Sequence, residues 1–341
     1  MPRLSSIVAL ISILRIGSVA VAGETPDKPL RAGMIGLDTS HCPAFTKIFN
    51  NPKNQGDLAG VKVVAAFPGG SADLPSSIGH VPEYTKQLRE MGVEIVDSIP
   101  ALIDKSDVIL LMSVDGRPHL AQAAPVFKAR KPIYIDKPLA GSLADALAIA
   151  ELGKKYNVPW FSSSSLRYSP GILGMRNNQK LGDVLGCDAW SPCSLEEHHP
   201  DLYWYGIHGV ETLYTIMGPG CQSVSRIRSP GTEMAVGLWK DGRIGTFRGI
   251  RTGRQDYGAM VFGSKAILAS GPYVGYEPLC VQIAKFFKTG KPPLANEETL
   301  EIMAFMEAAD ESKRQAGAPV KLEDVVEKAK PIAQKRLAEV Q

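Results

Sequence analysis

Between residues 30 and 165, short apolar runs alternate with amphipathic stretches. The runs at 31–37, 61–67, 93–96, 108–112, 132–135 and 159–162 lack the two-residue alternation of a half-solvated strand, which predicts strands covered on both faces. Between them, residues 84–91, 119–131 and 143–156 are amphipathic, and Leu143, Ala146, Leu147, Ala150 and Leu152 recur at roughly helical spacing. Another helix is expected to start near Pro43. Strand–helix alternation with right-handed crossovers predicts an α/β fold built on a doubly wound parallel sheet. Its site should lie outside the carboxyl ends of the strands.

Beyond Tyr168 the pattern changes. Residues 234–238, 243–248, 259–262 and 266–268 read as strands separated by turn signals such as Asp241-Gly242, which predicts an antiparallel sheet with one solvated face. Residues 281–287 and 299–315 read as helices, and a charged tail interrupted by Pro331 is expected to be solvated. The expected organisation is a first α/β domain at 29–163, a second at 164–322 with an open, mostly antiparallel sheet, and a helical tail at 323–341.

Composition narrows the class. With 44% hydrophobic residues, 21% charged and a net charge of +3 in 341 residues, the chain can bury a real core. Its scattered basic residues do not make the clustered face that nucleic acid requires. The first residues form a separate unit: a basic start ending at Arg3, an apolar run at 4–14, and Ala20-Val21-Ala22 before Gly23. That order predicts a secretory signal peptide cleaved after Ala22, and export to the periplasm or the medium. The run is too short for a bilayer, which needs about 20 residues, and no later stretch is long enough, so no membrane span is expected. The five cysteines, at 42, 187, 193, 221 and 280, are odd in number and contain no CxxC pair. Buried free thiols and a Cys187–Cys193 bridge both remain open.

The turn after the first strand would cradle a dinucleotide's pyrophosphate if it carried GxGxxG. It reads Gly36-Leu37-Asp38-Thr39-Ser40-His41, with only the first glycine in place. A carboxylate about 4 Å from a phosphate charge costs on the order of 4 kcal/mol at an effective dielectric near 20. Asp38, Thr39 and Ser40 are also good helix caps. The second strand runs into Phe67-Pro68-Gly69-Gly70-Ser71, with no acid for a ribose hydroxyl and no arginine for a 2′-phosphate. The strongest local signal is the strand-end Asp136-Lys137-Pro138, where a buried lysine can position a substrate oxygen or donate a proton. The segment Glu196-Glu197-His198-His199-Pro200-Asp201 is rich in ligand-type groups. Adjacent histidines in a strand diverge, so no metal is expected there.

From these motifs the chain resembles the Gfo/Idh/MocA oxidoreductases, named for glucose–fructose oxidoreductase and inositol dehydrogenase. Asp136-Lys137-Pro138 is similar to that family's Glu-Lys-Pro, His119 to the histidine opening the preceding helix, and Arg167-Tyr168 to its arginine–aromatic pair. The stretch Gly206-Ile207-His208-Gly209-Val210-Glu211 resembles the helix bearing its catalytic histidine. Val114-Asp115-Gly116 departs from the family's Thr-Pro-Asn, and Trp204 stands where it has aspartate. The likeness runs over about 30–322, closing with Tyr276-Glu277-Pro278 and 290–293.

The resemblance implies a Rossmann domain, then a substrate domain that often mediates homo-oligomerisation, and hydride exchange between NAD or NADP and a sugar or polyol. Lys137 and His208 would be catalytic. Gly36, Asp38, Thr39, Ser40, His41, Ser113, His119, Asp136 and Arg167 would face the cofactor. Tyr203, Trp204 and Tyr205 offer rings for a sugar face. Two further functions fit the same residues: a silent carbohydrate-binding protein, and a redox-neutral, glycosidase-like enzyme that recycles its hydride.

Overall fold

The computed structural model describes residues 28–340; the expected signal peptide lies outside the described residues. The first sheet is built from β1 (Leu30–Ile35), β2 (Val61–Phe67), β3 (Glu94–Ile95), β4 (Val108–Leu111), β5 (Ile133–Ile135) and β6 (Trp160–Ser162), in the order β3-β2-β1-β4-β5-β6. Every recorded pairing is parallel. The covering helices are α1 (His41–Phe49), α2 (Pro75–Glu90), α3 (Ile99–Lys105), α4 (His119–Lys128) and α5 (Leu143–Tyr156). The predicted strands are present: β2 matches its range, β1 starts one residue early and ends two early, and the others are shortened by a residue at one or both ends. The second helix starts nine residues before the predicted Tyr84, because Gly79 and Pro82 interrupt its pattern without breaking it.

Three loop ends pack tightly where the strand order reverses between β1 and β4. Gly36 sits at φ +84°, and a Cβ there would lie 2.5 Å from the Ser113 backbone nitrogen. Gly36→Ala therefore combines left-handed strain with a backbone clash, and overpacking of this kind costs roughly 1–3 kcal/mol. A urea midpoint unchanged from wild type would show that the loops yield instead.

After two short helices, α6 (Pro170–Leu173) and α7 (Asp201–Trp204), the chain forms α8 (Ile207–Met217). The second sheet holds β7 (Val184–Pro192), β8 (Cys221–Ser229), β9 (Thr232–Trp239), β10 (Ile244–Ile250), β11 (Gly258–Gly263), β12 (Ile267–Ala269) and β13 (Val320–Lys321), in the order β12-β11-β7-β10-β9-β8-β13. It is antiparallel except where β7 meets β10. Three of its strands, β7, β8 and the two-residue β13, escape the sequence pattern. β7 carries Gly186, Asp188 and Pro192, and β8 buries Arg226 where an apolar residue is expected. The inner face, with Cys187, Ala189, Ala235, Trp239, Phe247 and Val261 buried, packs on α8 and α10 (Asn296–Arg314). The five cysteines are free and buried.

The late helices cross back. α9 (Glu277–Thr289) shares the core of the first sheet through Leu279, Ile283 and Phe286 beside Phe45 and Met34. The tail is α11 (Leu322–Glu339), continuous through Pro331. It is not a solvated extension: Leu322, Val325, Ala329 and Ala333 are buried, and it lies on α5.

Candidate functional site

The carboxyl ends of β1, β4, β5 and β6 converge with α8 and the loops around Tyr257 and Tyr273 on one pocket of about 560 Å³, mouth included. That volume falls within the range of small-molecule sites. Its wall includes Thr39, Ser40 and His41 from the first turn, Lys137 from the end of β5, His208 from α8, and Tyr205, Tyr257, Tyr273 and Tyr276. Four hydroxylated rings around one ammonium suit a polyhydroxylated ligand, with faces to stack and hydroxyls to bond.

Lys137 is 6% exposed. Burial pulls its ammonium pKa down, and Asp136 offsets part of that shift. Its Nζ stands 5.6 Å from the centroid of the Tyr205 ring. Asp136 turns inward beneath it, with Oδ2 2.6 Å from His41 Nδ1 and Oδ1 3.1 Å from the Tyr134 hydroxyl. Burial opposes the Asp136 charge, but His41 and Lys137 outweigh it and hold the carboxyl below the usual range. His208 Nδ1 lies 2.8 Å from Ser164 Oγ. Burial first, then Lys137 and His41, push this imidazole well below its ordinary pKa, so the ring is neutral and able to accept a proton. Lys137, His208, His41, Thr39 and Ser40 thus come together on one wall.

The other candidates lie elsewhere. Both His119 ring nitrogens face carbonyl oxygens, Leu139 O at 3.1 Å and Ser113 O at 2.9 Å, which ties the β4 and β5 loops together. Ser113 Oγ donates to Gln122. Arg167 is buried in an ion pair with Glu211 and Glu298. Of the three expected stacking aromatics only Tyr205 lines the pocket; the Tyr203 hydroxyl reaches Met303 O and Glu307, and Trp204 packs against His199. Tyr257 and Tyr273 escape sequence reasoning because they sit in loops without a motif. Tyr276 opens the Tyr-Glu-Pro stretch that does carry one.

A dinucleotide has to cross the ends of β1, β2 and β4, and here the crevice is filled by side chains. Asp38 does not cap α1, whose N-cap Ser40 makes no side-chain cap bond. Instead its buried carboxylate accepts Val114 N–H at 2.8 Å and Ser77 Oγ–H at 2.7 Å. Burial is the main cause of its raised pKa. Ser71 Oγ donates to Asp115 across the same gap, 2.6 Å away. Arg117 is clamped between Asp73 and Asp115, so this cation at the crevice already has two partners. The residues as folded do not fit a pyrophosphate: a carboxylate holds its place and its donors are spent.

His199 closes the outer side. Its Nδ1 donates to Pro200 O at 3.0 Å, and its Nε2 accepts Gly116 N–H at 3.3 Å. Burial pushes this ring down to about 4, with Arg117 and Lys137 adding to the shift and Pro200 O and Asp115 opposing it. The unfolded ring titrates near 6.5, so from about pH 6.5 down to about 4 only the unfolded chain takes up the proton. Stability should fall as pH falls through that window, by up to roughly 3 kcal/mol. In urea titrations from pH 7 to 4.5, His199→Gln should show a shallower slope than wild type; equal slopes would refute the assignment. Among the described residues no cluster of His, Cys, Asp and Glu is arranged to hold a metal ion.

A parallel sheet covered by helices, a second open sheet and a lysine at a strand end are the frame on which the chain is compared with known proteins. Among solved structures, the chain superposes on a probable dehydrogenase from Thermotoga maritima with TM-score 0.69 and 20% identity, covering 87% of this chain and 100% of that one. It superposes equally on scyllo-inositol dehydrogenase from Lactobacillus casei, solved with bound NAD(H) and scyllo-inositol, with TM-score 0.69 and 14% identity over 87% and 100% of the two chains. The chain therefore shares the fold of these two structures. By sequence the chain is 28% identical over 162 residues to the dehydrogenase aclE of Aspergillus oryzae, 46% of this chain and 42% of that protein. The match spans about two fifths of the length of the curated relatives. No protein-family model matches.

Proposed function

We propose that the protein is an enzyme acting on a sugar or polyol, with its active site at the Lys137 pocket and a proton moved between Lys137 and a substrate oxygen as its central step. The observation that carries this reading is Lys137 itself: a buried ammonium with a lowered pKa, facing a pocket walled by hydroxylated rings. His208, neutral and held by Ser164, is the acceptor beside it.

The relatives support an oxidoreductase of the Gfo/Idh/MocA type. The Lactobacillus casei enzyme is described with NAD(H) and scyllo-inositol, which supports a polyol substrate here and NAD or NADP as the hydride partner. This chain's own residues bind and orient hydroxyls and hold the proton. A redox-neutral reaction at the same pocket is the second reading, favoured by Asp38 and its partners across the nucleotide crevice.

The outer face of the second sheet carries Ile227, Leu238 and Ile244 exposed, along with Met234 and Met260 partly so, which supports a homo-oligomer joined there. Export remains a proposal that rests on residues 1–22. Among the described residues no helix is long and apolar enough to cross a membrane.

The test is to incubate mature protein with aldoses, ketoses and inositols, with and without NAD⁺ and NADP⁺, following nicotinamide absorbance and product by NMR. Conversion of any member supports an enzyme. Binding without conversion supports the carbohydrate-binding alternative, and neither binding nor conversion removes the reading.

A further inference from the structure

The residues that replace two of the expected glycines do complementary things. Asp38, at the second glycine position, joins the β1 turn to the β4 loop and to α2. Ser71–Asp115 and Asp73–Arg117–Asp115 add a second row of bonds over the same gap. His41, at the third position, turns to the other side. It opens α1 and is 7% exposed, lines the same pocket as Lys137 and His208, and binds Asp136 through Nδ1 at 2.6 Å. Phe45 stacks on its ring and Tyr276 meets it edge-on, which fixes its orientation. With Nδ1 engaged by a carboxylate, Nε2 is the ring nitrogen left for the pocket, the arrangement in which an imidazole serves as a general base.

We infer that the turn has been converted from a dinucleotide cradle into a catalytic Asp136–His41 dyad, and that the pocket runs a redox-neutral proton transfer on a sugar in its carbonyl form. This deepens the reading of the Lys137 pocket given above and rests on it. His41 Nε2 takes the proton from the carbon beside the carbonyl. The C–H electron pair becomes the carbon–carbon double bond of an enediol, and the displaced carbonyl π pair takes a proton from the Lys137 ammonium. Return of the His41 proton to the former carbonyl carbon, with Lys137 taking a proton from the hydroxyl on the carbon that lost its hydrogen, places the carbonyl there and gives an isomer. No electrons leave the substrate, so the step needs no hydride acceptor. His41 is the catalytic base, and Asp136 is the positioning residue that fixes its tautomer.

Two measurements on the whole mature chain test this. The first uses wild type alone: calorimetric titration with NAD⁺, NADP⁺ and NADH. No binding up to millimolar dinucleotide is expected, and micromolar binding overturns the inference. The second follows solvent deuterium entering carbon-bound positions of D-glucose, D-fructose and a cyclic inosose in D₂O by NMR. Exchange by wild type without added nucleotide, reduced at least 100-fold in both His41→Gln and His41→Asn with thermal melts intact, is expected. Exchange equal to wild type in a folded variant, or no exchange across the panel, overturns it.

Saturation-transfer NMR of the same sugars against wild type and Lys137→Met separates the two levels. Sugar binding lost with Lys137, together with nucleotide-dependent oxidation, leaves the pocket assignment standing and removes the dyad. Absence of sugar binding removes the pocket assignment as well.

Discussion

Replacing Lys137 with Met should lower turnover by about 10²–10⁴-fold while the protein stays folded, since that is the usual contribution of a positioned proton donor. The reasoning separates chemistry from stability. Met keeps most of the side chain's length and apolar bulk, so the wall of the pocket stays filled. Removing a buried ammonium also relieves a desolvation cost, and the Asp136 carboxylate it leaves behind keeps His41 as partner at 2.6 Å. The thermal midpoint should therefore hold or rise while kcat collapses. Lys137→Arg should not rescue turnover, because a guanidinium does not give up its proton near neutral pH. Turnover of Lys137→Met within tenfold of wild type, on whichever sugar the panel selects, would remove Lys137 from the chemistry.

Arg167→Met should act in the opposite sense, costing about 3–5 kcal/mol of stability. Arg167 Nε lies 2.5 Å from Glu211 Oε1, and Nη1 lies 2.8 Å from Glu298 Oε1. All three residues are buried, at 4%, 2% and 7% exposure. Removing the cation leaves two carboxylates out of water, with Ser163 the remaining donor to Glu211 and Arg176, 3.5 Å away, the remaining partner of Glu298. The urea midpoint should drop sharply. A residue whose work was to hold a cofactor would instead lose ligand affinity and keep its midpoint, so the two roles give separable results.

The first sheet was legible because β4, β5 and β6 are buried along their whole length and α5 shows an apolar stripe. Those periodicities survive in a single sequence. The second sheet was less so. β8 hides Arg226 among Asp201, Glu233 and Asp310, so a position that reads as solvated is core, and β7 is broken by glycine and proline. At the site, Lys137 and His208 were visible through short motifs with fixed neighbours. The His41–Asp136 contact spans 95 residues, and nothing local in either segment announces it. Asp38 could be seen as out of place for a phosphate. Its partners, Ser77 and the Val114 amide, belong to segments with no motif of their own, and the same is true of Tyr257 and Tyr273.

The helix that ends the described chain has a mechanical consequence. α11 packs on α5 of the first domain, and also on β8 and α10 of the second, so a single rod is bolted to both halves behind the pocket. Movement of one half against the other would have to peel Val325, Ala329 and Ala333 from their seats. Traffic of small molecules in and out therefore falls to the pocket's rim, where Ser40 is exposed and Tyr257 and Tyr273 are partly so.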